Sequence, residues 1–270
     1  MPRPLKILKG IVEQDPSVTR YRTSELLGET TATAEVILKH LSTCLRLLLN
    51  KDRASKAEQS IVDLGVRFWN DIRAANILIK EGFILSAMMM ERDAIETRVV
   101  AEYLNTHPQE VEVWQKAETY KERRRFGINE LKGKVADGES WKDLFDLISS
   151  YIHPNDKARP AYSKNRPFFG YNLYLGGFYD PAPIAISFIT HLSLSVNFLK
   201  TIIDWYKNDL LFPIEMSKEV EILEETYRKQ ANALKERATK EQTAMDEKIQ
   251  AMRLTPEEKR KLFQFLDTLG

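Results

Sequence analysis

Apolar residues recur at spacings of three and four through about 31–50, 56–81, 83–106, 109–132, 140–153, 183–208, 215–252 and 256–268, each stretch bounded by Gly, Pro, Asn or Asp. This is helical periodicity, and it predicts an all-α fold: a helical bundle over residues 1–212. The last stretch has a different texture. Leu223, Tyr227, Ala231, Leu234, Ala238, Met245, Ile249 and Met252 make a thin apolar stripe on a highly charged helix. Such a narrow seam suits a helix hairpin or coiled coil, so residues 213–270 read as a charged C-terminal appendage that pairs with a second copy, or packs within its own chain. Only Arg159 to Pro181 escapes the helical pattern. Rich in Tyr and Phe, with Gly170, Gly176 and Gly177, it is expected to form an aromatic, glycine-rich insertion with a small hairpin turning at Gly176-Gly177.

Three of these helices direct polar groups inward. On a wheel at 100° per residue, Arg92 and Glu96 fall inside an arc made by Ile84, Leu85, Met88, Met89, Ile95, Val99 and Tyr103. Two ions on a packed face require each other, plus further hydrogen bonds, because each costs several kcal/mol to desolvate. Asn76 sits among Ile61, Phe68, Ile72 and Ile79 on the preceding helix, where Gly65 permits a close helix approach. His191 and Ser195 share an arc with Phe188, Leu192 and Leu199 on a later one.

Composition narrows the classes of function. A chain of 270 residues with 43% hydrophobic content can build a real core. Forty basic residues against thirty-nine acidic ones leave no chain-wide positive field for nucleic acid, so any such contact has to be local. The single Cys44 excludes an internal disulfide framework and reads as core filler in a reducing compartment. The N-terminal MPRPLKILKGIVEQDP lacks the apolar block of a secretory signal, and polar residues interrupt Ile184 to Trp205 too often for a membrane span. A cytoplasmic protein with no membrane association is expected.

The densest chemistry is SSYIHPND at 149–156 taken with RDAIE at 92–96. Pro154 disfavours helix at the residue before it, so His153 ends its helix at the negative end of the dipole, where the charged imidazole is favoured. Arg92, Glu96 and His153 are the candidate catalytic residues; Arg92, Glu96, Tyr151, His153, Asn155 and Asn76 are the candidate binding residues. The bland reading is that His153 caps its helix while Arg92 and Glu96 neutralise each other in the core. No Glu-x-x-His pair, phosphate-binding glycine loop or dinucleotide fingerprint occurs, so no metal and no cofactor is expected. Nucleic acid has two local candidates. One is the basic cluster Lys121-Glu-Arg-Arg-Arg125 with Lys132 and Lys134, by default a solvated helix face. The other is a helix-turn-helix over 5–50 with Thr31 to Leu41 as recognition helix, which offers Thr31, Thr33, Glu35 and Lys39 but no arginine.

The Arg-x-x-x-Glu core helix, the later Ser-x-x-His-Pro and the Gly-Gly aromatic segment, carried here by Arg92, Glu96, Ser150, His153, Pro154, Gly176 and Gly177, resemble a family of bacterial helical proteins of unknown function over about 56–208. That family is distantly similar to HEPN domains, small helical bundles of prokaryotic defence and toxin systems. The resemblance implies a bacterial defence, stress or regulatory module whose polar pocket binds a protein partner or RNA. Its enzymatic alternative is a metal-independent ribonuclease in which Arg92 holds the phosphate and His153 moves the proton. The chain departs from the HEPN nuclease pattern, since none of its histidines has an arginine four to six intervening residues upstream. A DNA-binding regulator acting through the helix-turn-helix is the third reading.

Overall fold

The computed structural model describes residues 6–8, 11–13, 16–51, 55–152, 163–166, 170–175, 179–206 and 214–251. Six long helices carry the fold: α1 (Pro16–Leu27), α2 (Thr30–Leu49), α3 (Lys56–Lys80), α4 (Ile84–Thr106), α8 (Gly138–Ile152) and α9 (Pro181–Tyr206). A seventh, α10 (Ile214–Ala251), lies across them. The bundle is all-α, as its periodicity predicts.

Local chemistry sets the boundaries. Ser55 opens α3 with a capping box: its hydroxyl accepts from the Glu58 N–H while the Glu58 carboxylate accepts from the Ser55 N–H. At the other end Gly82 takes φ +79°, its N–H donating to the Ile79 carbonyl and that of Phe83 to the Leu78 carbonyl. This pairing reverses the chain into α4 and needs the left-handed conformation that glycine adopts without penalty. Gly65 has a different purpose: a Cβ there would sit 2.5 Å from Leu45 Cδ2, so its missing side chain lets α3 press onto α2.

The stretch 109–132 is not one helix. It breaks into a 3-10 turn at Pro108–Glu110, α5 (Val111–Gln115), α6 (Tyr120–Arg124) and α7 (Ile128–Leu131). A second capping box, Thr119 with Glu122, starts α6, and Gly127 precedes α7. Local caps thus override an apolar pattern too weak to sustain a long helix.

A small sheet completes the description, in the order β1 (Lys6–Leu8), β2 (Ile11–Glu13), β4 (Gly170–Leu175), β3 (Ser163–Arg166). A hairpin is present as β3–β4, antiparallel with Arg166 opposite Gly170. The paired strands are therefore not, as expected, the two that flank Gly176-Gly177 in the sequence; these glycines come after β4 and lie outside the described residues. β2 pairs in parallel with β4, which joins the N-terminal segment to the insertion.

Helix α9 is long and apolar enough to cross a membrane by length and composition, yet 67% of that window is buried inside the fold. It is the central core helix, contacting α2, α3, α4 and α10. The seam of α10 is occupied within the chain: Val220, Leu234 and Ala238 are buried, with Leu223 and Tyr227 packed behind them. Polar clasps hold it, Lys200 Nζ to Glu224 at 2.5 Å and Arg22 to Glu241 at 2.8 Å, with Tyr179 donating to the same Glu241. So the stripe from Leu223 to Met245, which the sequence offers to a second copy, packs within its own chain, where α10 contacts α9, α2 and α1.

Candidate functional site

The interior face of α4 is broader than the predicted arc and extends on the side away from Leu85 and Met89. Of that arc Ile84, Met88, Ile95, Val99 and Tyr103 are buried, and beside them a seven-residue rhythm sets Glu91, Arg98 and Glu102 inside, with Ala87, Ala94 and Ala101 fully buried. Alanine contributes little hydrophobicity to a wheel, but it permits close packing, and here it marks the inside. Met89 is exposed and Leu85 half-buried.

The consequence for the predicted pair is direct. Arg92 and Glu96 are only half-buried and make no contact ion pair with each other. Arg92 reaches instead to α8: its Nε donates to Ser149 Oγ at 3.1 Å, and its guanidinium lies 4.5 Å above the Phe145 ring. That leaves both Nη groups without a hydrogen bond among the described residues. Burial holds the Glu96 carboxyl above its ordinary range, against the pull of Arg92 and Arg67 and with help from Asp93. Across the α3–α4 contact, burial pushes Asp71 up to about 6, Arg67 lowering it and Asp93 raising it again. Arg67, Asp71, Arg92, Asp93 and Glu96 thus form a mixed-charge patch with more carboxylates than guanidiniums, edged by Ser149.

Ser149 belongs to SSYIHPND and lies four residues before His153. The structure brings RDAIE to the last turn of α8, which ends at Ile152. Tyr151 lies on that turn; His153, Pro154 and Asn155 lie outside the described residues. Asn76 goes elsewhere. It is buried, and its Nδ2 donates to Glu35 Oε1 at 3.1 Å, the carboxylate that also binds Arg73 at 2.5 Å and Lys80 at 3.1 Å.

Two inward-facing constellations escaped the sequence reading, apart from His191 of the second, which it placed on the buried arc of its helix. The first is the ion pair Arg98–Glu102, 3.4 Å apart and one turn apart on α4. Arg98 stacks 4.0 Å from the Trp141 ring, and Glu102 accepts from the Ala136 N–H at 2.7 Å. Desolvation lowers Arg98 to about 10 and raises Glu102, so burial works against the pair while their mutual attraction favours the charged forms. The second is the fully buried Glu91, which accepts from Ser187 at 2.9 Å, with the fully buried His191 one turn further along α9. Desolvation raises Glu91 well above the carboxylate range and lowers His191 to about 3, with Lys80 adding to the effect on the imidazole. The imidazole is therefore neutral at pH 7, and burial favours the protonated form of Glu91. Heptad spacing of Glu91, Arg98 and Glu102 with Ile84, Met88 and Ile95 was the signal that the sequence carried.

Other candidates resolve simply. Helix α2 is a core helix: Thr33, Ile37 and Leu41 are buried, and Glu35 is bound by three side chains of α3, which leaves Lys39 as the exposed polar member of the proposed recognition set. Cys44 is buried against Met216, 3.4 Å between sulfurs, and burial pushes its thiol up to about 12. Among the described residues no group of three His, Cys, Asp or Glu side chains is arranged to hold a metal. Comparison with family models, with curated proteins and with solved structures returns no match.

Proposed function

We propose that this chain is a non-enzymatic, regulatory helical module that recognises a protein partner at the patch formed by α3, α4 and the last turn of α8. One observation carries this reading: Arg92 is fixed along one edge by Ser149 and Phe145 while both its Nη groups stay unclaimed among the described residues, beside half-buried carboxylates. A guanidinium presented in this way suits bidentate recognition of a carboxylate or phosphate. Asp71, Asp93 and Glu96 decide between the two. They would repel a polyphosphate chain but would complement a segment bearing both charges, so a protein surface fits better than an RNA end. The resemblance to HEPN-like bacterial bundles extends the reading to a cytoplasmic defence or stress module. It leaves open to a second copy the exposed remainder of α10, including Ile222.

A second reading is supported by the Arg92–Ser149 hydrogen bond, which sets Arg92 beside a residue four positions before His153 in the sequence. In that reading the protein is a metal-independent ribonuclease, with Arg92 on the scissile phosphate and His153 as proton carrier.

Affinity capture with the full chain beside Arg92→Ala and Glu96→Gln tests the first reading. A protein retained by the parent and lost from Arg92→Ala, with melting temperatures within a few degrees, is the expected result. Capture indifferent to Arg92 overturns it. Incubation with total RNA in chelator, beside Arg92→Ala and His153→Ala, tests the second: cleavage that leaves cyclic phosphate ends and disappears in both variants would replace the binding reading with the enzymatic one.

A further inference from the structure

Residues 116–134 hold seven Lys or Arg against three Glu, a surplus of four in a chain whose formal charge is +1, so positive charge is concentrated here while the remainder is net negative. Part of this surplus is used at home: Arg125 binds Glu110 at 2.7 Å, and Lys132 binds Glu139 at 3.0 Å. Lys121 and Arg124 are different. Both are exposed, and neither forms an ion pair or a side-chain hydrogen bond among the described residues. Beside them on the same helix stands Tyr120, 83% exposed, the most exposed large aromatic or aliphatic side chain among the described residues. On α6, Tyr120 and Arg124 are four residues apart and share one face, with Lys121 next to them.

The mounting is firm. Phe126, Ile128 and Leu131, which follow α6 in the chain, are buried, Phe126 lying 6.2 Å from the Tyr103 ring, and the Thr119–Glu122 capping box fixes the start of the turn. A bare ring flanked by unpaired cations on a rigid base matches the requirements of single-stranded nucleic acid: the ring stacks a base, and the cations neutralise adjacent phosphates. An acidic peptide would use the charges and leave the ring idle. A duplex keeps its bases stacked on each other and would ignore Tyr120 as well. We infer that the outer face of α6 is a docking surface for single-stranded nucleic acid, with the phosphodiester backbone on Lys121 and Arg124 and a base stacked on Tyr120. It shares no residue with the Arg92 patch, so the two stand or fall separately.

The test is fluorescence anisotropy of the full chain with a labelled twelve-nucleotide uridine RNA across a salt series. Tyr120→Ala is expected to weaken binding by roughly ten-fold or more, with Tyr120→Phe retaining it, because the ring and not the hydroxyl does the stacking. Lys121→Ala with Arg124→Ala should weaken binding and lower the slope of log affinity against log salt by about 1.4, roughly 0.7 for each phosphate that is no longer neutralised. All three side chains are exposed, so unchanged melting curves should accompany these effects. The inference is overturned by no binding at low salt, by affinity indifferent to all three positions, by a duplex of equal length or polyglutamate binding as tightly, or by Arg92→Ala abolishing binding while the α6 variants do not.

Discussion

At the scale of single residues, burial favours the neutral forms of His191 and Glu91, and this makes stability depend on pH in opposite directions. His191 is lowered to about 3 in the fold from an ordinary 6.5. Between these values the unfolded chain binds the extra proton, so its contribution is complete above about 6.5 and is lost as pH falls toward 3, by on the order of 4 kcal/mol. Glu91 acts in reverse. Its folded form keeps the proton above the ordinary 4.5, so the unfolded chain ionises first and stability declines as pH rises from there. Glu91→Gln keeps the shape and the acceptor for Ser187 without the ionisation. Thermal melts should therefore show the variant more stable than the parent at pH 8 and nearly equal at pH 4; a variant less stable at pH 8 would mean that Glu91 is charged and paired in the fold.

At the scale of elements, close approach between helices is set by what is missing. Replacing Gly65 by Ala in the middle of α3 gains about 1 kcal/mol of helix propensity. The new Cβ, 2.5 Å from Leu45 Cδ2, forces a buried leucine off its place, an overpacking cost of about 1–3 kcal/mol. The clash should win, giving a net loss of about 1 kcal/mol by denaturant unfolding. In Gly65→Ala/Leu45→Ala the clash is relieved, so the two changes should be strongly non-additive. The same close packing accounts for where the charged pairs of α4 lie. Its apolar period was legible, but its inward direction depended on Ala87, Ala94 and Ala101, whose small size matters only when a neighbouring helix arrives. Arg92 and Glu96 therefore sit at the margin, while Arg98 and Glu102 are the pair drawn inside.

For the whole molecule, α10 is part of the cooperative structure. Leu234 is fully buried and Val220 nearly so, both against the core. Leu234→Ala should cost about 2–5 kcal/mol and lower the midpoint of a single unfolding transition. An early separate transition, with the main one unmoved, would show that α10 folds apart from the bundle. The charged texture that set 213–270 apart in the sequence comes from the solvent side of this helix, and a thin seam looks the same whether its partner is a second copy or α9.

Periodicity, caps and breakers are properties of neighbouring residues, and they determined the all-α class, the long helices, the presence of a small hairpin and the close contact at Gly65. Rotation of each helix, the occupant of each seam and the charge state of each inward polar group depend on elements distant in the chain. Only the tertiary structure decided these: that Arg92 meets Ser149, that Asn76 meets Glu35, that Glu91 and His191 lose their water together, and that β2 joins β4. The physical reason is that desolvation and contact are set by what surrounds a side chain, and a linear pattern carries only the residues that precede and follow it.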